Sequence, residues 1–224
     1  MQNRAPQKAE QVYEMLRRAI IMLDLAPGQA VVEKNICAEL SISRTPVREA
    51  VQRLADEGLV NVISHSGTYV SPISFEVAEE GFVIRRALEI ESVRRAAAVA
   101  ENPGAELDPI IDRMRRLIAA DQLHEYLDED DAFHAAIARL SRMPRIWRFI
   151  TLAKVHLDRM RQMSAPVPGH LAVVTEQHAA IAAAIASGKP DQAELAMRIH
   201  LESSFDVMAK LHHERTGELL SEDS

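Results

Sequence analysis

The chain is 224 residues long, with 26 Lys+Arg against 33 Asp+Glu and a formal net charge of −7, a length that suits one small module plus one domain large enough for its own core. Its single cysteine, Cys37, excludes a disulfide framework and reads as a small buried side chain. No apolar segment precedes a cleavage site and no run is long enough to cross a bilayer, so a cytoplasmic protein with no membrane partner is expected.

The first predicted element, AEQVYEMLRRAIIMLDL, sets Val12, Leu16, Ala19 and Leu23 on one helical stripe and stops before the Pro27-Gly28 turn. Next, VEKNICAEL carries Val32, Ile36 and Leu40 at helical spacing, and the SIS link after it leaves room only for a tight turn. In the following SRTPVREAVQRLADEGLV, Val47, Ala50, Val51 and Leu54 form a buried stripe, while Arg44, Arg48 and Gln52 fall four apart on a wet face. Pro46 suits the first turn of that helix, Ser43 or Thr45 can cap it, and Gly58 closes it. Residues 59–63 and 68–70 read as two brief strands around SHSG, with Gly67 free to take a positive φ. Residues 1–74 therefore read as a winged helix-turn-helix, followed by a linker at about residues 71–76 and a helical domain over 77–224.

A winged helix-turn-helix lays its second helix in the major groove, where the planar fork of arginine matches guanine O6 and N7. Arg44, Thr45 and Arg48 stand in that position. Lys34, His65, Ser66 and Gly67 suit phosphate or minor-groove contact, which sets register more than sequence. Arg53 lies on another side of the wheel and reads as a surface charge. Charge divides unevenly: residues 1–74 hold eight basic and eight acidic side chains, so the whole −7 falls in the remainder. A neutral module implies modest affinity, raised when two modules act together as a homodimer on a double-stranded DNA operator with inverted-repeat half-sites.

The second part is mainly α: helices are expected over 77–101, 106–119, 122–141, 145–163, 171–187 and 191–214, an antiparallel bundle of about six. Asn102-Pro103-Gly104, Pro144, the SAPVPG loop and Gly188-Lys189-Pro190 separate them. In three of these helices polar groups occupy apolar stripes: Asp130 and His134 with Leu127 and Ile137, His178 with Val174 and Ile181, and His200 with Met197 and Val207. An isolated buried imidazole is satisfied by a neighbour, but four such groups facing one core need a shared partner. A divalent metal is the economical one, and imidazole with carboxylate suits Zn, Ni, Mn or Fe. His124, His156, His170, His212 and His213 sit near helix ends or loops and read as surface residues.

The PGQ turn, the SRTPVREAVQRLADEGLV run and the SHSGTYV wing resemble the GntR family of transcription factors. RRALEIE, DDAFHAAI, EQHAAIAAAI and MRIHLESS resemble, in order and spacing, the metal-binding helical effector domain (FCD) of its FadR subfamily. The resemblance implies that Asp130, His134, His178 and His200 hold the metal, zinc first. It implies also that Arg85, in R-x-x-L-E, faces a small carboxylate effector; an i, i+4 salt bridge with Glu89 is its alternative role. His65-Ser66 stand where many relatives carry arginines. The expectation is a ligand-responsive regulator, not an enzyme. Two alternatives are a metal-free pocket of the acyl-CoA type on the same DNA module and a metalloenzyme domain, since three histidines and a carboxylate leave coordination positions open.

Overall fold

The computed structural model describes residues 4–222, and the chain divides between Ser74 and Phe75 into two compact units. In the first unit, α1 (Arg4–Ile21), α2 (Glu33–Glu39) and α3 (Arg44–Asp56) precede the hairpin β1 (Val60–Ile63) and β2 (Gly67–Val70). The core is the contact of α1 with α3, where Val12, Tyr13, Leu16 and Ile20 are buried with Val47, Ala50, Val51 and Leu54. Leu23 does not join that stripe, because the helix ends at Ile21 and Leu23 takes a φ of +64° in the turn; Ile20 fills the place instead. The stripe expected on α2 is also corrected: Val32 and Leu40 are exposed, Ile36 and Cys37 only half-buried. A seven-residue helix packed on one edge of α3 is too short to cover them.

β1 and β2 pair antiparallel from Val60↔Val70 to Ile63↔Gly67, and Ala30 bridges Tyr69 from the other side. His65 at φ +60° and Gly67 at φ +139° turn the hairpin; the second value is one that a side chain strains to adopt.

The second unit contains α4 (Phe75–Val99), α5 (Gly104–Ala119), α6 (Leu123–Leu140), α7 (Ile146–Ala153), α8 (Val155–Ser164), α9 (His170–Ala186) and α10 (Pro190–Glu222). The helix expected over 145–163 is thus two, broken at Lys154, and the bundle has seven helices. No proline or glycine marks the break. Two tertiary features cause it: Lys154 turns inward to full burial, and α4 passes so close that a Cβ on Gly81 would lie 2.2 Å from the Ala153 carbonyl oxygen. α4 is the central helix, contacting α6, α7, α8, α9 and α10. Its buried face combines small residues, Ala78, Gly81, Ser92, Ala96 and Ala97, with the apolar Phe82 and Val93 and two charged residues, Arg85 and Glu89.

Because the Gly81 neighbour is backbone rather than a pliable side chain, Gly81→Ala forces α4 away from the α7–α8 junction. Overpacking of this kind costs about 1–3 kcal/mol, so urea unfolding followed by circular dichroism should show a lowered midpoint; an unchanged midpoint would mean that the close approach is not needed.

A candidate metal centre and a candidate DNA face

The arginines of the first unit fall into two groups. Arg17 pairs with Glu57 at 3.2 Å, and Arg53 pairs with Glu10 at 2.6 Å while its guanidinium lies 3.6 Å from the Tyr13 ring centroid. Arg53 is therefore more than a surface charge, since it ties α3 to α1. Tyr13, buried and donating to Glu57, has its hydroxyl pushed up to about 12. The second group is Arg44, exposed with Thr45, and Arg48, whose one carboxylate contact is Glu33 at 3.4 Å. Arg44 and Lys34 have no carboxylate partner among the described residues. The structural pairs consume Glu10 and Glu57, so an overall neutral unit still presents cations at the start of α3. His65 and Gly67 are exposed in the hairpin turn.

In the second unit α6, α9 and α10 bring His134, His178 and His200 together, all buried, with their ligand atoms within 4.8 Å of one another. His200 Nε2 lies 3.2 Å from His134 Nε2 and 3.4 Å from His178 Nε2. The other ring nitrogens are occupied. His134 Nδ1 donates to Glu89, and His200 Nδ1 donates to Gln177 Oε1 at 3.2 Å, an amide orientation set by Gln177 Nε2 donating to Ser203. His178 Nδ1 contacts Met114 Sδ at 3.4 Å, and the His178 ring stacks on Phe133 at 4.1 Å. With the protons on Nδ1, Nε2 lone pairs point at one another in a buried space, which is unfavourable until a cation or a proton comes between them. Two nitrogens on one zinc at about 2.0–2.1 Å and tetrahedral angles stand about 3.3–3.4 Å apart, which the observed 3.2 and 3.4 Å separations fit. Burial first, then the neighbouring rings and guanidiniums, holds His178 and His200 well below the usual imidazole value, in the neutral form a metal needs.

Asp130 stands beside this group rather than in it. Its Oδ1 is 3.6 Å from His178 Nε2, and its Oδ2 accepts from Arg161 at 2.8 Å. Burial raises the Asp130 carboxyl, but Arg161, His134 and Arg85 together lower it below its ordinary range. Arg85 does form the i, i+4 pair: Nε donates to Glu89 Oε1 at 2.5 Å, while Glu89 Oε2 receives His134. Arg85 is thereby coupled to the histidines through one carboxylate. Its Nη2 is left buried without a partner, as are Arg161 Nε and Ser204 Oγ. Arg85, Arg161 and Ser204 line one pocket with Asp130, His170 and His200, and its free space is about 20 Å³, room for about one water.

Three histidine assignments are corrected. His156 is buried rather than on the surface, His170 is half-buried and faces the pocket, with burial lowering its basicity, and His212 is half-buried with its ring stacked on Phe75 at 4.8 Å. Sequence reasoning passed over Arg161, Gln177 and Ser204. Arg161 carried a signal, since Asp158 and Arg161 stand three apart as a helical ion pair; Ser204 had none.

The depressed imidazoles give a pH dependence. Unfolded, His178 and His200 take protons below about pH 6.5, whereas folded and metal-free they resist, so their contribution is present above that value and is lost as pH falls towards the lower folded pKa. With a chelator present, the urea midpoint should fall between pH 7.5 and 5.5, and fall less in His178→Asn; equal falls would remove His178 from the account.

Family models match each unit. Residues 8–70 match "Bacterial regulatory proteins, gntR family" and residues 80–203 match the FCD domain. The chain is 35% identical over 206 residues to an HTH-type transcriptional regulator in an unstable DNA locus of Streptomyces ambofaciens, covering 89% of this chain and 84% of that one. It is 31% identical over 208 residues to the HTH-type transcriptional repressor RspR of Escherichia coli, covering 92% and 91%. Among solved structures, Escherichia coli McbR/YncC superposes with a TM-score of 0.80 at 21% identity, covering 92% of this chain and 98% of that one. A GntR regulator from a Rhodococcus species gives 0.76 at 24%, covering 91% and 98%; both likenesses speak to the fold. No helix among the described residues is long and apolar enough to cross a membrane. The families and relatives are regulators, not enzymes: this chain belongs to the GntR family of DNA-binding transcriptional regulators, with an FCD domain as its second part.

Proposed function

We propose that this regulator is a homodimer that senses a small carboxylate through a metal-bearing helical domain and adjusts its hold on an inverted-repeat operator. His134, His178 and His200 hold the ion, zinc before nickel, manganese or iron, and Asp130 is the fourth ligand. The observation that carries the reading is the meeting of two unsatisfied sets: imidazole lone pairs facing one another, and orphaned donors on Arg85, Arg161 and Ser204 lining the adjoining pocket. The first set asks for a cation and the second for an anion with several acceptor oxygens. When bound, the metal would supply a fixed positive charge beside the pocket, and an ion that takes more than four ligands would leave a position for an effector oxygen.

Arg44, Thr45 and Arg48 read bases, while Lys34, His65 and Gly67 meet the backbone. One neutral module buries too little surface for specific binding, which favours two modules related by symmetry. Exposed apolar side chains on the helical unit, Val83 and Ile84 of α4 and Leu195 and Ile199 of α10, are suited to subunit contact. Effector binding clamps α4, α6, α9 and α10, and the linker, which the start of α4 shortens to residues 71–74, carries the change to DNA. A coupling of about 1–3 kcal/mol suffices.

Metal analysis of purified protein should find about one divalent ion per chain, and His178→Ala should lose it together with the effector's influence on DNA while keeping operator binding. An effector response that persists in demonstrably metal-free protein would sink the metal-coupled reading. For the DNA face, Arg48→Ala should weaken operator binding by about 1–3 kcal/mol and relax base preference, whereas Lys34→Ala should weaken all sequences alike. Unchanged affinity and preference in Arg48→Ala would show that α3 does not read bases.

A further inference from the structure

The head-group pocket has a neighbour of different chemistry. Tyr126, Ala165 and Leu171 line the pocket that contains Arg85 and Arg161, and the same three residues also line a cavity of about 320 Å³. That second cavity is walled by Leu117, Ile118, Leu123, Pro166, Val167 and Pro168, and Asp121 is the one charged side chain in its lining.

The sequence builds this space at two corners. α5 ends at Ala119 and α6 starts at Leu123, which leaves a short turn whose apolar flanks, Leu117, Ile118 and Leu123, are half-buried. Opposite them, Pro166 and Pro168 lack the N–H that would extend α8, and Gly169 at φ +78° turns the chain into α9. The connection therefore spans the corner instead of filling it. A cavity of this size and lining falls within the range of ligand sites, about 300–1,000 Å³, whereas the polar pocket beside it, with about 20 Å³ free, admits a carboxylate head group only as its lining side chains shift. The Tyr126 ring is a fixed partition between the two, since its hydroxyl contacts Leu171 O at 3.1 Å and Thr175 Oγ1 at 3.0 Å.

We infer that the effector is an amphipathic carboxylate, its head on Arg85, Arg161 and Ser204 and its apolar chain or ring lying past Tyr126 in the cavity walled by Leu117, Leu123 and Val167. This rests on the carboxylate-effector reading given above and narrows it from any small acid to one with an apolar body. Displacing the Tyr126 hydroxyl would orphan buried polar groups, so the tail follows the edge of the ring.

Straight-chain 2-hydroxy acids of three to eight carbons, titrated calorimetrically into zinc-loaded full-length protein, test it. Burial of each added methylene should tighten binding about fourfold until the cavity is full. Ala172→Phe, at an exposed position on the cavity wall, should erase that gain and leave the three-carbon acid unaffected. Leu123→Gln, which makes the wall polar without adding bulk, should reduce the gain as well and serves if Ala172→Phe melts early. A series that binds equally at every length, or a length gain untouched by both variants, overturns the tail site while leaving the carboxylate head group standing. Absence of binding by any acid overturns both.

Discussion

Three imidazoles whose Nε2 atoms converge in a buried interior are the constraint on which the second unit is built. Neutral rings in that arrangement need their Nδ1 protons placed elsewhere, and Glu89 and Gln177 take two of them. Glu89 is itself a buried carboxylate, held ionised because Arg85 and His134 outweigh the burial that would protonate it. This explains a central helix that buries both Arg85 and Glu89 among alanines. Such a chain works as a whole: removing one member leaves a buried charge uncompensated, which is far more damaging than replacing the set.

A second buried charge system joins the first through Asp130. Lys154 donates to Asp131 and Asp158 at 2.7–3.1 Å, and Arg161 reaches Asp130 and Asp131. Burial works against the Asp131 carboxylate, yet Lys154 and Arg161 together hold it well below the ordinary range. Arg161 is thus shared between Asp130 and the Lys154 cluster. In the proposed sensor this sharing has a mechanical meaning: an effector carboxylate that takes Arg161 releases Asp130 towards the histidines, while Asp131 and Asp158 remain to keep the guanidinium from being stranded. Anion binding and the fourth metal position are then linked by exchange of one ion pair, with no need for a large movement.

Much of this was readable before any coordinates. Helical spacing located the α3 stripe and put His134, His178 and His200 on inward faces, because a polar residue on an apolar stripe is conspicuous in a single sequence. The broken helix was not readable. Residues 150–158, ITLAKVHLD, contain no breaker, and the break at Lys154 depends on Gly81, some seventy positions earlier, and on ion pairs to another helix. The same limit applies to His156, whose burial follows from α8 turning at that break, and to Ser204, which became informative only as a buried donor without an acceptor. Local pattern predicts which face is buried; it does not predict what that face meets.

The first unit resolves its charge puzzle in the same physical terms. Eight cations and eight anions would give little attraction for a polyanion if evenly mixed. They are not evenly mixed, because Arg17 and Arg53 are committed with Glu57 and Glu10 to hold α1 on α3, where Tyr13 supplies a ring for Arg53 and a hydroxyl for Glu57. The ion pairs that stabilise the helix packing are thus also the ones that withdraw acid from the reading helix. Two of the eight cations are committed in this way, and each phosphate that the rest neutralise adds only about 0.9 to the salt slope of binding. In the proposed dimer such a module would gain little from non-specific attraction, and occupancy of the operator would depend on base contacts from Arg44 and Arg48 and on the second copy beside it. Small effector-driven changes in the spacing of two weak modules would then alter occupancy more than they would for one strongly basic domain, which would stay on DNA regardless.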